Sequence, residues 1–62
     1  MSRTEFELVK AAREGDLATV KRLLDLGTTV DAKDEKGWTA ILSAAYEGHE
    51  DVVALLIEEA HE

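Results

Sequence analysis

The side chains able to carry proton-transfer or nucleophilic chemistry gather in one short stretch: Ser43, Glu47, His49, Glu50 and Asp51. A serine, a carboxylate and an imidazole are the parts of an acyl-transfer triad, in which the imidazole must lie against the hydroxyl and the carboxylate must orient the imidazole. Ser43 and Glu47 are four positions apart and share a helix face, but His49 lies past Gly48, where a helix stops. Neighbouring residues supply neither a positioned base nor an oxyanion hole, so the expectation is a structural role for all three and no enzyme activity. Metal chemistry fares no better. His49, Glu50 and Asp51 are adjacent and converge poorly on one ion, His61 is twelve positions from His49, and there is no cysteine. Gly15, Gly27, Gly37 and Gly48 are spaced as helix stops and a turn, not as a phosphate-cradling loop before a helix with lysine in place. No cofactor, metal or small-molecule substrate is therefore expected.

What remains is a chain that must act by its surfaces, and its totals limit which ones. At 62 residues it is one domain, and a chain of this length buries only about 60% of the surface its unfolded form exposes. With no disulfide available, stability must come from well-formed helices or from association with another chain. The formal net charge of −7, from 14 acidic against 7 basic residues, repels phosphate backbones and anionic membranes, so nucleic acid and membrane are excluded as expected partners. No apolar run is long enough to span a bilayer and residues 1–5 lack the apolar core of a secretory signal, which leads us to expect a cytoplasmic or recombinant setting.

The elements that position these residues follow from an internal repeat. A shift of 33 positions carries Ala11-Ala12 onto Ala44-Ala45, Glu14-Gly15 onto Glu47-Gly48, Val20 onto Val53 and Leu23 onto Leu56. Leu8 with Ile41, Val9 with Leu42 and Leu24 with Ile57 match conservatively. Each unit reads as a helix hairpin. Thr4 and Glu7 have capping-box spacing, which predicts a helix from about Glu5, with Leu8, Ala11 and Ala12 on its apolar face and Gly15 at its end. Asp16 then caps a second helix with Val20, Leu23 and Leu24 on one face, ending at Gly27. Periodicity is lost from Thr28 to Lys36, where turn formers predict a short extended finger. Thr39 caps a third helix running to Gly48, and a fourth runs from about Glu50 through Ile57. The fourth has Ala60 where the second has Gly27, so fraying through His61 and Glu62 is expected.

The stretch from Asp34 to Ile57 resembles the ankyrin repeat family, whose pattern runs through a turn, Gly-x-Thr-Pro-Leu-His-x-Ala-Ala, Gly-His and paired apolar residues. Gly37, Thr39, Ala44, Ala45, Gly48, His49 and Leu56 match it directly, while Ala40, Ile41 and Leu42 stand where the family has proline, leucine and histidine. Leu42 exchanges a polar tie between loops for apolar surface. Residues 1–33, with Arg3, Lys10, Arg13 and Lys21 at outward positions, are similar to an N-terminal capping repeat, and 34–62 form the second repeat. The resemblance implies an all-α solenoid of two helix-turn-helix repeats joined by a β-hairpin-like finger, with a protein as partner. Lack of proline and cysteine fits a designed chain, as it also fits a truncated natural one.

Stacked repeats bury a continuous core, and about three are usually needed for stability. The second unit is therefore expected to leave an apolar face open, drawn from Ile41, Leu42, Ala45, Val52, Leu55, Leu56 and Ile57, and to pair with its own copy as a homodimer. In the resembled family the positions of Glu35, Lys36, Trp38, Tyr46 and Glu47 are variable ones on the finger and the concave side, which makes them candidates for binding a heterologous protein. Trp38, Leu42 and Tyr46 recur at every fourth position, and the two rings serve equally well as binding residues or as covers over a thin core. Glu50-Asp51 and Glu58-Glu59 read as solvated helix faces, the former also offsetting a helix dipole.

Overall fold

A computed structural model describes residues 3–60. Four helices follow one another: α1 over Arg3–Glu14, α2 over Leu17–Asp25, α3 over Ala40–Glu47 and α4 over Glu50–Ala60. Among the described residues there is no strand, and the finger reduces to a single antiparallel bridge between Lys33 and Thr39. The architecture is two stacked helix hairpins, α1 with α2 and α3 with α4, in which α1 lies on α3 and α2 on α4. The fraying expected at His61 and Glu62 lies outside the described residues.

Local chemistry sets the ends of the helices. Asp16 accepts from the Thr19 backbone N–H at 3.2 Å and from the Thr19 hydroxyl at 2.7 Å, which satisfies a first-turn donor of α2. Thr39 does the same for α3, its Oγ1 accepting from the Leu42 N–H at 3.1 Å. α1 and α3 both end in the paired bonds of a Schellman motif: Gly15 N–H to Ala12 C=O with Asp16 N–H to Ala11 C=O, and Gly48 N–H to Ala45 C=O with His49 N–H to Ala44 C=O. One expectation is corrected at the chain start. α1 already includes Arg3, so Thr4 lies inside its first turn and does not cap it, and Glu7 instead pairs with Arg3 at 3.3 Å.

The core joins both layers. Leu8, Val9, Ala11 and Ala12 of α1 meet Ala40 and Ala44 of α3, so small side chains let these two helices approach closely, while Val20, Leu23, Val52 and Leu56 fill the space between α2 and α4. Val52 and Leu56 are completely buried here. They were expected on the open terminal face, and that placement is wrong: their sides of α4 turn inward against the first layer, because helical periodicity identifies an apolar stripe without telling which neighbour covers it. Leu56→Ala should thus cost about 2–5 kcal/mol of unfolding free energy, while Ile57→Ala, one position on and exposed, should cost under about 1 kcal/mol in urea unfolding at high dilution.

Candidate protein-binding surfaces

The layers are tied by one histidine. The carbonyl of Arg13 can only accept, so in the 3.0 Å contact His49 Nε2 carries a hydrogen and donates across the interface. The imidazole lies so close over Gly15 that a Cβ built there would fall 2.6 Å from Nδ1. Gly15 also has φ +74°, so this position excludes a side chain on two grounds. His49 is thereby committed to the fold. Ser43, the other half of the imagined triad, is 2% exposed, and its Oγ has no hydrogen-bond partner among the described residues. Serine and histidine therefore do not form a catalytic pair, and no cluster of His, Asp and Glu among the described residues is arranged to hold a metal ion.

Between the hairpins, Asp34 organises the tip of the connection. Its Oδ1 accepts from the backbone N–H groups of Lys36 and Trp38, each at 2.9 Å, its own N–H donates to the Trp38 carbonyl at 2.9 Å, and its Oδ2 takes Arg13 Nη2 at 3.0 Å. The Trp38 N–H, followed by the Lys36 N–H and the Arg13 guanidinium, holds the carboxyl below its ordinary range against an opposing effect of partial burial. Asp16 is likewise lowered, first by the Thr19 hydroxyl and then by the Thr19 N–H.

This turn brings together all five residues singled out for a heterologous partner. Glu35, Lys36, Trp38, Tyr46 and Glu47 line one groove of about 430 Å³, together with Phe6, Arg13, Asp34 and Ser43. Trp38 and Tyr46 meet edge to face, with ring centroids 5.5 Å apart and planes at 72°. Tyr46 is 77% exposed and stands in solvent, whereas Trp38 is 36% exposed and mostly covered. Phe6 is half exposed at the opposite wall, and no motif marked it, since its place depends on how α1 lies against α3. Arg13 was also legible only as an outward charge.

The terminal layer presents a second concavity of about 480 Å³, lined by Ala45, Gly48, His49, Glu50, Val53, Ala54 and Ile57. Of the residues expected on the open face, Leu42, Ala45 and Ile57 are exposed, Ile41 and Leu55 are partly buried, and Val52 and Leu56 are not part of it. The repeat makes the comparison direct. Val9 is 1% exposed under the second layer, whereas its counterpart Leu42 is 53% exposed; Ala12 is buried, and its counterpart Ala45 is not.

Repeated hairpins, matching Schellman stops and a histidine clamped on a glycine agree with the comparison to known sequences, in which the family described as ankyrin repeats (many copies) matches residues 8–57. The chain belongs to the ankyrin repeat family. Among similar ankyrin proteins, human ankyrin repeat domain-containing protein 29 is 48% identical over 48 residues, covering 76% of this chain and 16% of that protein. Notch-regulated ankyrin repeat-containing protein of Xenopus tropicalis is 40% identical over 47 residues, covering 76% of this chain and 41% of that protein. Human mitochondrial disaggregase is 39% identical over 56 residues, covering 90% of this chain and 8% of that protein. The chain thus spans between 8% and 41% of the length of these relatives. Ankyrin repeats generally mediate protein–protein interaction without being enzymes. No helix among the described residues is long and apolar enough to cross a membrane.

Two outcomes test this geometry. Gly15→Ala and Gly48→Ala both force a side chain into the left-handed region, at roughly 1 kcal/mol, but only Gly15→Ala also drives a methyl into His49. Gly15→Ala should therefore be the more destabilising in urea, and adding His49→Ala should recover part of that excess. Because the Asp34 carboxyl is lowered on folding, its contribution is complete above the ordinary carboxylate value of 3.8 and is lost as pH falls below it through the folded value. Asp34→Asn should start less stable at neutral pH and decline less steeply on acidification, read as thermal midpoints from pH 7 to 2.

Proposed function

We propose that this ankyrin chain is a non-enzymatic protein-interaction module that pairs with a second copy of itself through its terminal layer. The observation that carries this reading is the mismatch between equivalent positions: Val9 and Ala12, sealed in the first layer, have uncovered counterparts at Leu42 and Ala45 in the second, and partly buried Leu24 has exposed Ile57. The two ends of the stack are unlike. Where α3 and α4 turn Ala40, Ser43, Val52 and Leu55 toward the first layer, the equivalent positions on the outer side of α1 and α2 hold Glu7, Lys10, Thr19 and Arg22. Residues 1–33 therefore suit the role of a capping-type repeat, with 34–62 as the layer that seeks cover.

That asymmetry favours closed pairing. Stacking copies head to tail would press Lys10 and Arg22 against apolar surface, and Asp16, the counterpart of His49, would replace the interlayer tie. A two-fold contact covers both apolar ends and stops growth. The second reading, a heterologous partner held in the groove, draws support from the convergence of Glu35, Lys36, Trp38, Tyr46 and Glu47 on one concavity. Light scattering after gel filtration should give a dimer mass for the 62-residue chain at tens of micromolar or above. Ile57→Glu combined with Ala45→Glu places like charges on the self-paired face and should shift it to monomer mass while helicity by circular dichroism is kept. A native mass near one subunit across that range, or pairing that survives both charges, would overturn the reading.

A further inference from the structure

The groove between the turn and the first helices of both layers has a chemistry more specific than apolar cover. We propose that it binds an arginine side chain displayed on an extended, basic peptide segment of a partner protein. This rests on the second reading above and gives it a ligand class. Three observations bear on it independently. The rim is acidic once internal pairing is counted: Arg13 is engaged by Asp34, leaving Glu35 and Glu47 against Lys36, within a chain of net charge −7. Tyr46 and Trp38 meet edge to face while Tyr46 stays 77% exposed, so aromatic surface is open for a planar cation to stack upon. Last, Ser43 lines the same groove with a hydroxyl that is 2% exposed by residue and has no partner.

The hydroxyl is the member of the set that packing explains least. An unsatisfied polar atom in a helix interface weakens a small domain, and alanine, the residue nearby at Ala40, Ala44 and Ala45, would fill the same space without it. The Oγ is buried in the free protein, so a peptide carbonyl that takes its hydrogen must displace the side chains covering it, and that bond gives the serine a use that packing does not. A guanidinium suits the remaining features better than an ammonium. It is planar, stacks on a ring and can still hold a carboxylate such as that of Glu47 in two parallel hydrogen bonds. A volume of about 430 Å³ falls within the usual size of a ligand site and accommodates one long side chain with its backbone.

Trp38 is the sole tryptophan and lines the groove, so its fluorescence reports the site directly. The intact 62-residue chain is titrated with Ac-Gly-Arg-Gly-NH2, with the neutral isostere carrying citrulline in place of arginine, and with the glutamate peptide. We expect a saturable change in Trp38 emission with the arginine peptide and at least roughly fivefold weaker response with the other two. Tyr46→Ala and Glu47→Gln should each weaken the arginine peptide by roughly two- to fivefold, with helicity unchanged. Ser43→Ala should weaken it as well, yet leave the thermal midpoint equal or higher, a pairing of effects that a purely structural serine would not produce. Citrulline or glutamate peptides bound as tightly as arginine, with sensitivity to Tyr46→Ala, would overturn the arginine specificity while leaving the groove as a binding surface. No saturable change with any peptide would overturn both.

Discussion

A hairpin of two short helices cannot enclose its own apolar stripe, and that constraint governs this molecule. Closure depends on the approach of α1 to α3, and it is possible because the facing residues are small: Ala11 and Ala12 on one side, Ala40, Ser43 and Ala44 on the other. The same closeness brings the His49 ring onto Gly15 and its Nε2–H within hydrogen-bond reach of the Arg13 carbonyl. Substituting bulk anywhere along this seam separates the layers, and with them the larger side chains Leu8, Val20, Val52 and Leu56 that hold the outer helices. The imidazole is consumed in this assembly, whereas the Ser43 hydroxyl is buried in it without a partner among the described residues.

From that seam two surfaces follow, with different origins. The groove is a by-product of joining the layers through the Asp34 turn: one carboxylate gathers the Lys36 and Trp38 amides and the Arg13 guanidinium, and so places the indole beside Tyr46 on the next helix. The terminal concavity is instead a repeat of the seam itself. Gly48 has the same left-handed conformation as Gly15, but nothing stands within 4 Å of where its side chain would be, whereas Gly15 is covered by an imidazole. One surface is lined by charged and aromatic side chains; the other is lined largely by small and aliphatic ones.

Much of this was legible from residue order, and the exceptions share a physical reason. Signals that act over a few residues were readable: Thr39 and Asp16 as caps, Gly15 and Gly48 as stops, and the pairing of hairpins through the repeat that carries Ala11 onto Ala44. The five groove residues were singled out because family position, and not periodicity, marks them. Quantities that depend on the rotation of one helix against another were not readable. Val52 and Leu56 looked like surface because their stripe was seen without its partner, and Phe6 and Arg13 reach the groove only through the lie of α1 on α3. Thr4 was read as a cap because its spacing to Glu7 is right, yet the helix extends past it to Arg3. The Asp34 hub has no mark in the residue order for a simpler cause: a single aspartate in a turn has many local uses, and only its three-way bonding sets it apart.

In the pairing we propose, another copy of the chain seals the second layer, so that folding and association are linked. The concentration dependence of the thermal unfolding midpoint tests that link on the unaltered protein. The account predicts a midpoint that climbs steadily as protein concentration is raised, with one cooperative transition throughout. A midpoint that stays constant over the whole range, with the chain fully helical at the lowest concentration, would contradict it.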